Sequence, residues 1–360
     1  MRGVSILLGP CAAVLLSSAP ATAATFPGTS FTHHDWELAC DNTGTCRAAG
    51  YSVDGAELPI SLLLTRKAGA NQPVTGEVML GEYGDNPVLD AMPGALRLTL
   101  QIGRQTHGPT RFPKDARLAA VSAPQVAALI AALRGTRDIA WTDGTHRWTL
   151  SGQGAAAVLL KMDEYQGRLG TRGALMRPGP LREDGVPPAA AVPQVQAAAL
   201  ARPLPQDALL PTHHADALRA ALRQSLAQAD DCPDLTEPRS PDDGVAPIEV
   251  TRLDNHRLLA SARCWLGAYN VGVGYWVIDE APPFRPEPIT ASGSDFIDGS
   301  ILASQKGRGL GDCWSSDEWT WDGRRFVHTA AATTGMCRLM APGGAWSLPT
   351  IVTDVLPPSR

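Results

Sequence analysis

Residues 35–51 read DWELACDNTGTCRAAGY, and this stretch decides the fold of the first half of the chain. Cys40 and Cys46 enclose five residues, DNTGT, whose composition is typical of a turn. On both sides of the turn the residues alternate or run apolar, as they do in β-strands. The stretch therefore predicts a β-hairpin whose register is held by a Cys40–Cys46 disulfide.

Similar strand patterns continue downstream, separated by Gly, Pro and Asn turns, at residues 60–66, 74–80 and 96–102. Ser122 then begins an amphipathic helix that Gly135 ends, and Val158 and Met162 belong to a second helix of the same kind. A hairpin over residues 139–150 lies between the two helices. These patterns predict an α+β lobe with a mostly antiparallel sheet.

The middle of the chain changes composition. Residues 178–215 contain eight prolines and nine alanines among 38 residues, with little periodicity. Such a segment predicts a linker over residues 178–211, with a short helical patch at 195–201. It divides the mature chain into a first lobe, residues 24–177, and a second lobe, residues 212–360.

The second lobe also has the pattern of a β-rich domain. Thr212 begins a helix that carries Leu218 and Leu222 on one face. Strands are predicted at residues 248–253, 258–265, 271–278, 296–303, 319–329 and 335–340. The predicted fold class is therefore α+β, with two mostly antiparallel β-rich lobes and a few covering helices.

The N-terminus has the pattern of an export signal. A basic start, an apolar run and small residues ending at Ala23 predict a signal peptide over residues 1–23. Cys11 is removed with it, since Pro10 and the short apolar run argue against a lipid-attachment site. We therefore expect a periplasmic or secreted protein, and no later apolar run is long enough to cross a membrane.

Six cysteines remain after removal of the signal, and an even number in an exported chain predicts three disulfides. Six cysteines allow 15 connectivities, and the sequence alone cannot choose among them. Because they fall into sequential pairs, we predict the pairs Cys40–Cys46, Cys232–Cys264 and Cys313–Cys337.

Charge and motifs exclude several classes of function. A net charge of -5 argues against nucleic-acid binding and against an anionic membrane surface. The chain has no serine-hydrolase elbow, zinc-protease helix, phosphate loop or calcium loop. We expect a protein that is not an enzyme and that carries no cofactor or metal. The adjacent histidines His33–His34 and His213–His214 are predicted to be solvated or capping residues, because neighbouring positions diverge too far to hold one ion.

The densest polar segment is residues 306–313, KGRGLGDC. Its three glycines make the backbone pliable, and Lys306 and Arg308 add two cations. The loop is either tied down structurally by Cys313 or binds a carboxylate or a sugar of a partner. Six of the nine tryptophans lie in the second lobe, where they fill a core or form a stacking surface.

A resemblance to a known family rests on these same segments: residues 35–42, 46–51, 64–69 and 306–313, supported by 163–168, 264–270, 319–326 and 337–338. Together they resemble the exported bacterial family called domain of unknown function 1176. That family has six cysteines and no assigned activity, so the resemblance implies a class of protein and not a function. Trp36 and Cys40 also resemble the opening of the invasion-associated locus B proteins.

A shorter segment, residues 291–296, resembles part of the C-type lysozyme inhibitors. In that family a serine and a lysine enter the lysozyme cleft, and the resemblance implies these roles for Ser292 and Lys306.

Three functions are thus expected, in descending order. The first is a non-enzymatic binding or envelope-associated protein whose partner is a protein or an envelope glycan. The second is a lysozyme-inhibitor-like module that uses Ser292 and Lys306. The third is a glycan hydrolase whose acid or base is Asp295, Asp298 or Asp312, and this function requires two facing carboxylates in one cleft.

Overall fold

A computed structural model describes residues 25–81, 83, 88, 91, 94–113, 116–237 and 244–359. The predicted signal peptide lies outside the described residues. Among the helices of these ranges, none is both long and apolar enough to cross a membrane.

The first lobe contains a six-stranded antiparallel sheet in the order β1-β2-β3-β4-β5-β8. The hairpin predicted from residues 35–51 forms its centre, with Cys40 opposite Cys46 in the register. The inner face of the sheet is strongly apolar, and Trp36 is fully buried in it. Its strands are β1 Thr29–His33, β2 Trp36–Cys40, β3 Cys46–Tyr51, β4 Ile60–Arg66, β5 Val74–Leu80 and β8 Leu118–Val121.

A second antiparallel sheet, in the order β10-β9-β6-β7, completes this lobe together with two helices. The helices share one core with both sheets, as the predicted apolar faces require. At the start of the first helix the Gln125 side-chain oxygen accepts hydrogen bonds from the Ser122 N–H and hydroxyl groups. The elements are β6 Leu96–Ile102, β7 Gln105–Phe112, β9 Ile139–Thr142, β10 Arg147–Leu150, α1 Ala123–Leu133 and α2 Ala155–Tyr165.

The segment between the lobes is ordered by backbone pairing. The helical patch predicted at residues 195–201 is wrong: Gln194–Gln196 is a short strand, β11, that pairs in parallel with β21, Asp354–Leu356. Beyond it, the Ala198 and Ala201 N–H groups donate to carbonyl groups of the second lobe. A helix of two turns is marginal by itself, whereas these partners satisfy the backbone directly.

The second lobe contains two further antiparallel sheets, in the orders β12-β13-β14-β15 and β16-β17-β18-β19-β20. Leu218 and Leu222 pack into a core beneath the first of them, as predicted. The strands are β12 Ile248–Arg252, β13 Arg257–Leu266, β14 Val271–Asp279, β15 Glu287–Gly293, β16 Asp295–Ile297, β17 Ser300–Lys306, β18 Trp314–Trp321, β19 Phe326–Thr333 and β20 Leu348–Ile351. The α-helices are α3 Leu210–His213 and α4 Ala215–Ser225, and single 3-10 turns cover Asp207–Leu209, Ala229–Asp231 and Pro233–Leu235.

The strand predicted at residues 335–340 is wrong. Residues 334–347 form a loop, here called the cover loop, and the strand follows it at Leu348–Ile351. Two residues of the loop have a left-handed backbone, Gly335 with φ +95° and Leu339 with φ +53°, and such residues interrupt a strand. The loop packs on the outer face of the first sheet instead.

The cover loop and β20 join the two lobes. The buried Trp346 donates through Nε1 to the Ser61 hydroxyl at 2.7 Å. Arg338 forms an ion pair with Asp35 at 2.8 Å. An apolar cluster forms around these contacts from Ala39, Ala49, Tyr51, Leu63, Met340, Ala345, Trp346 and Leu348. The second half of the chain thus supplies the covering layer of the first sheet.

All six cysteines of the predicted mature chain are paired. The disulfides are Cys40–Cys46, Cys232–Cys264 and Cys313–Cys337, the sequential pairing predicted. Three disulfides fit an extracellular or periplasmic protein, because thiols stay reduced in the cytosol.

Candidate functional site: a groove between the lobes

A groove of about 270 Å³ lies where the outer face of β1 and β2 meets strands β18, β19 and β20. Ligand sites occur preferentially at such interfaces between lobes. The lining consists mainly of hydroxyl side chains, two carboxylates and small apolar residues. It comprises Ser30, Thr32, Glu37, Leu38, Ala39, Ser315, Ser316, Asp317, Ala331, Ala332, Thr333, Leu348 and Thr350.

Glu37 is the carboxyl group of the first wall. Its Oε1 atom accepts hydrogen bonds from the Tyr51 hydroxyl at 2.5 Å and from the Met336 N–H at 2.7 Å. Burial raises the pKa of Glu37 above its ordinary value, although both hydrogen bonds act in the opposite direction. The side chain is therefore held in one orientation and retains its proton at a higher pH than a solvated glutamate.

The backbone of the cover loop approaches this carboxyl group at Gly335. A Cβ atom added to Gly335 would lie 2.2 Å from the Tyr51 hydroxyl oxygen and 3.3 Å from Glu37 Oε1. Its φ of +95° also favours glycine. Glycine at this position is what permits the Met336 N–H to reach Glu37.

Asp317 is the carboxylate of the second wall. It lies in β18 opposite Ala331 of β19, and its Oδ1 atom is 2.8 Å from His328 Nε2. The His328 ring in turn stacks on Trp319, with 4.7 Å between the ring centroids. Asp317 and His328 are each about one-third exposed. Their side chains therefore lie within reach of a ligand in the groove.

Six hydroxyl side chains complete the polar lining: Ser30, Thr32, Ser315, Ser316, Thr333 and Thr350. Hydroxyl groups both donate and accept hydrogen bonds, and an ionised carboxylate accepts only. Such a set of groups matches a neutral ligand that has several hydroxyl groups of its own. The chemistry of the lining thus favours a sugar over an anion.

The predicted partner loop lies elsewhere in the second lobe, and most of its polar groups are engaged internally. Arg308 donates from Nε and Nη2 to the fully buried Asp312, at 2.7 and 2.5 Å. Asp312 also accepts from the Leu339 N–H. Leu310 accepts a hydrogen bond from Tyr83 of the first lobe. These contacts tie the loop to the cover loop and to the first lobe.

Lys306 and Ser292 lie near each other in the fold. The Lys306 ammonium group lies over the Trp314 ring, 5.4 Å from its centroid. The neighbouring Gln305 donates to the Ser292 carbonyl oxygen at 3.0 Å. The roles that the lysozyme-inhibitor resemblance implies for Ser292 and Lys306, and the partner-binding role of Arg308, stay predictions.

The three aspartates considered for hydrolysis occupy different surroundings. Asp295 and Asp298 are exposed, in β16 and in the turn that follows it. Asp312 is buried against Arg308. The groove instead presents Glu37 and Asp317, which the sequence reasoning did not single out. No motif marks this pair, because the two residues are 280 positions apart in the chain.

The tryptophans of the second lobe divide between core and surface. Trp276, Trp321 and Trp346 are buried, whereas Trp265, Trp314 and Trp319 are partly exposed. Both interpretations of their concentration in this lobe therefore hold for part of the set. At the groove, Trp319 acts through its stacking on His328.

Comparison with known proteins now gives the family. A family model described as "Protein of unknown function (DUF1176)" matches residues 30–353. The chain belongs to the DUF1176 family. The groove residues of both walls fall inside the matched range, and so do all six paired cysteines. The comparisons do not show the predicted likeness to the invasion-associated locus B proteins.

A curated DUF1176-like relative is the "Uncharacterized protein YpfG" of Escherichia coli (strain K12). It is 25% identical over 345 residues, which cover 87% of this chain and 90% of that protein. No solved structure matches the chain significantly. Membership of DUF1176 therefore establishes the class and indicates no specific activity.

Proposed function

We propose that this protein is an exported binding protein of the bacterial envelope that holds a sugar unit of a glycan in the groove between its lobes. The observation that carries the proposal is the lining: six hydroxyl groups and two carboxyl groups face one groove of about 270 Å³. The disulfides and the predicted signal peptide support export to the periplasm or beyond.

The two walls suit a sugar in different ways. Asp317, oriented by His328, accepts hydrogen bonds from sugar hydroxyl groups. Glu37, when protonated, also donates one. Ala331 and Leu348 provide apolar surface for the C–H groups of the ring. A groove of this size admits about one sugar residue, so a longer chain would extend beyond it.

The test is calorimetric titration of the mature protein with soluble oligomers of N-acetylglucosamine and with maltotriose. Asp317→Asn keeps the shape of the side chain but removes its charge, and we expect it to weaken binding about tenfold. The matched control is Asp354→Asn, because Asp354 is exposed on β21 and does not line the groove. Absence of saturable binding of either sugar, or equal affinity of the two variants, would contradict the proposal.

The raised pKa of Glu37 favours hydrolysis of the glycan as a second candidate function. Glycosidases use one protonated and one ionised carboxyl group that flank the bond to be cleaved. Glu37 and Asp317 on opposite walls have the corresponding protonation tendencies. Incubation of the same oligomers with wild type and with Glu37→Gln separates the functions: cleavage by the wild type alone supports hydrolysis, and binding without cleavage supports the binding protein.

A further inference from the structure

A cavity of about 640 Å³ lies in the first lobe and shares no lining residue with the groove. Charged and polar side chains line it, three of them arginines. The lining comprises Arg66, Asn71, Gln72, Arg172, Gly173, Arg182, Glu183 and Asp184. Its volume falls in the range of small-molecule sites and exceeds that of a single inorganic ion.

Two buried arginines form the floor of the cavity with two buried carboxylates. Arg168 is fully buried and donates through Nη1 to Glu183 Oε1 at 2.7 Å. Arg66 Nη2 reaches the same oxygen at 3.4 Å, and the Asn71 N–H donates to Oε2 at 2.5 Å. Both oxygens of Glu183 are therefore engaged within the protein, so its charge is compensated.

Arg66 retains an unused donor at this floor. Its side chain is 4% exposed, and its Nη1 atom has no hydrogen-bond acceptor among the described residues. The carboxylate oxygen Asp163 Oδ1 is 3.7 Å away, which is too long for a hydrogen bond, and it is also unpartnered within the described part of the chain. Burial, followed by the charge of Arg168, lowers the pKa of Arg66 to about 10. A bound anion would relieve this desolvation.

The rim adds cations that are accessible to solvent. Arg172 is exposed, and within the described ranges its side chain makes no ion pair. Arg182 is exposed and pairs with Asp184 at 2.7 Å. The cavity and its floor thus bring together four guanidinium groups and three carboxylates, which leaves positive charge in excess.

The wall at Gly173 is shaped for close approach. A Cβ atom at this position would lie 2.0 Å from Glu183 Oε1 and 3.0 Å from Arg66 Nη2. Any larger residue would push the arginine and the carboxylate apart. Gly173 therefore keeps the floor intact beside the exposed Arg172.

We propose that this cavity is a second binding site, for a small organic molecule that bears a carboxylate or phosphate group, held by Arg66 from the floor and by Arg172 from the rim. Guanidinium groups match the oxygens of both kinds of anion. The site is independent of the groove and of the function proposed for it.

The experiment titrates the mature protein with inorganic phosphate and, separately, with citrate, at an ionic strength matched with sodium chloride. We expect saturable binding of at least one of them, and which one binds distinguishes a phosphate from a carboxylate ligand. Arg172→Gln should weaken that binding about tenfold, because it removes one charge-assisted contact from an exposed side chain. Arg104→Gln, an exposed arginine of the first lobe outside the cavity, is the matched control.

Gly173→Ala provides a second variant, because it displaces Glu183 and Arg66 without removing a charge. Loss of binding in this variant while the overall fold is retained, as judged by circular dichroism, supports the proposal. Two results would overturn it: no saturable binding of either anion in the millimolar range, or wild-type affinity in Arg172→Gln.

Discussion

At the scale of single residues, the groove depends on a contact between distant parts of the chain. Glu37 and Tyr51 belong to the first sheet, and Gly335 and Met336 belong to the cover loop of the second lobe. The buried carboxyl group is positioned by one hydroxyl donor and one backbone donor, which together satisfy Oε1. Two residue-scale predictions follow from this geometry.

Gly335→Ala should destabilise the protein because the new Cβ atom would meet the Tyr51 hydroxyl oxygen at 2.2 Å. Gly343→Ala is a matched control: its φ of +85° imposes a similar backbone strain, but nothing lies within 4 Å of its Cβ position. In urea denaturation we expect Gly335→Ala to lose about 2 kcal/mol more free energy of unfolding than Gly343→Ala. Equal losses in the two variants would show that the close contact at Gly335 has no energetic effect.

The titration of Glu37 should affect stability in one direction. Its pKa is raised in the folded state from an ordinary value of 4.5, so folding favours the protonated form. The stabilisation is complete below pH 4.5 and is lost as the pH rises through the folded-state pKa. Glu37→Gln keeps the oxygen that accepts both hydrogen bonds and cannot ionise.

We therefore expect the stability of Glu37→Gln, measured relative to the wild type by urea denaturation, to increase as the pH is raised from acidic to neutral. Glu249→Gln, at an exposed position on β12, should show no such trend. A constant difference between Glu37→Gln and the wild type across this range would mean that burial does not raise the pKa of Glu37.

At the scale of elements, the cover loop is held in place by a disulfide and an ion pair rather than by sheet pairing. Cys337 bonds to Cys313, next to the buried Asp312 that accepts from Arg308 and from the Leu339 N–H. Arg338 pairs with Asp35 of the first lobe. The loop thus combines a covalent attachment to its own lobe with a polar attachment to the other.

Replacement of both Cys313 and Cys337 by alanine should destabilise the protein more than the same change at Cys40 and Cys46. The first disulfide spans 24 residues and the second spans 6. The chain-entropy model then gives the longer link an additional stabilisation of about 1 kcal/mol. Urea denaturation of the two double variants measures the difference.

Hydrogen exchange provides a local readout for the same variants. Loss of Cys313–Cys337 should speed exchange in residues 306–313 and 334–347, because the loop is no longer attached to its own lobe. Unchanged exchange in these segments would indicate that the ion pair and the buried tryptophan are sufficient to hold them.

At the scale of the whole molecule, the two lobes share a covering layer. Trp346, 9% exposed, and Leu348 come from the second half of the chain but pack on Ala39, Ala49 and Leu63 of the first sheet. The paired strands β11 and β21 add backbone bonds between the middle of the chain and its C-terminal part. We expect lobes connected in this way to unfold in one transition.

Trp346→Ala should remove the main apolar contact of that layer. A change of this kind in a core costs about 3 kcal/mol or more. We expect a lower unfolding midpoint, or two separate transitions, in urea denaturation followed by circular dichroism. Trp346→Phe is the control, because it keeps an aromatic ring and loses only the hydrogen bond to Ser61. If Trp346→Ala unfolds as the wild type does, the layer does not hold the lobes together.

The amino-acid sequence by itself determined the local structure of this protein. Alternation around DNTGT indicated the first hairpin, the spacing of Leu218 and Leu222 indicated a helix, and the sequential cysteines indicated the three disulfides. These features depend on neighbours in the chain, which a pattern of residues records directly.

Only the tertiary structure decided the rest. Residues 194–196 became a strand because their partner lies at residues 354–356, and residues 335–340 became a loop because they cover a distant sheet. Glu37 and Asp317 meet in one groove for the same reason, as do Arg66 and Arg172 in one cavity. Contacts between residues far apart in the chain depend on how complete lobes pack, and no local pattern encodes that packing.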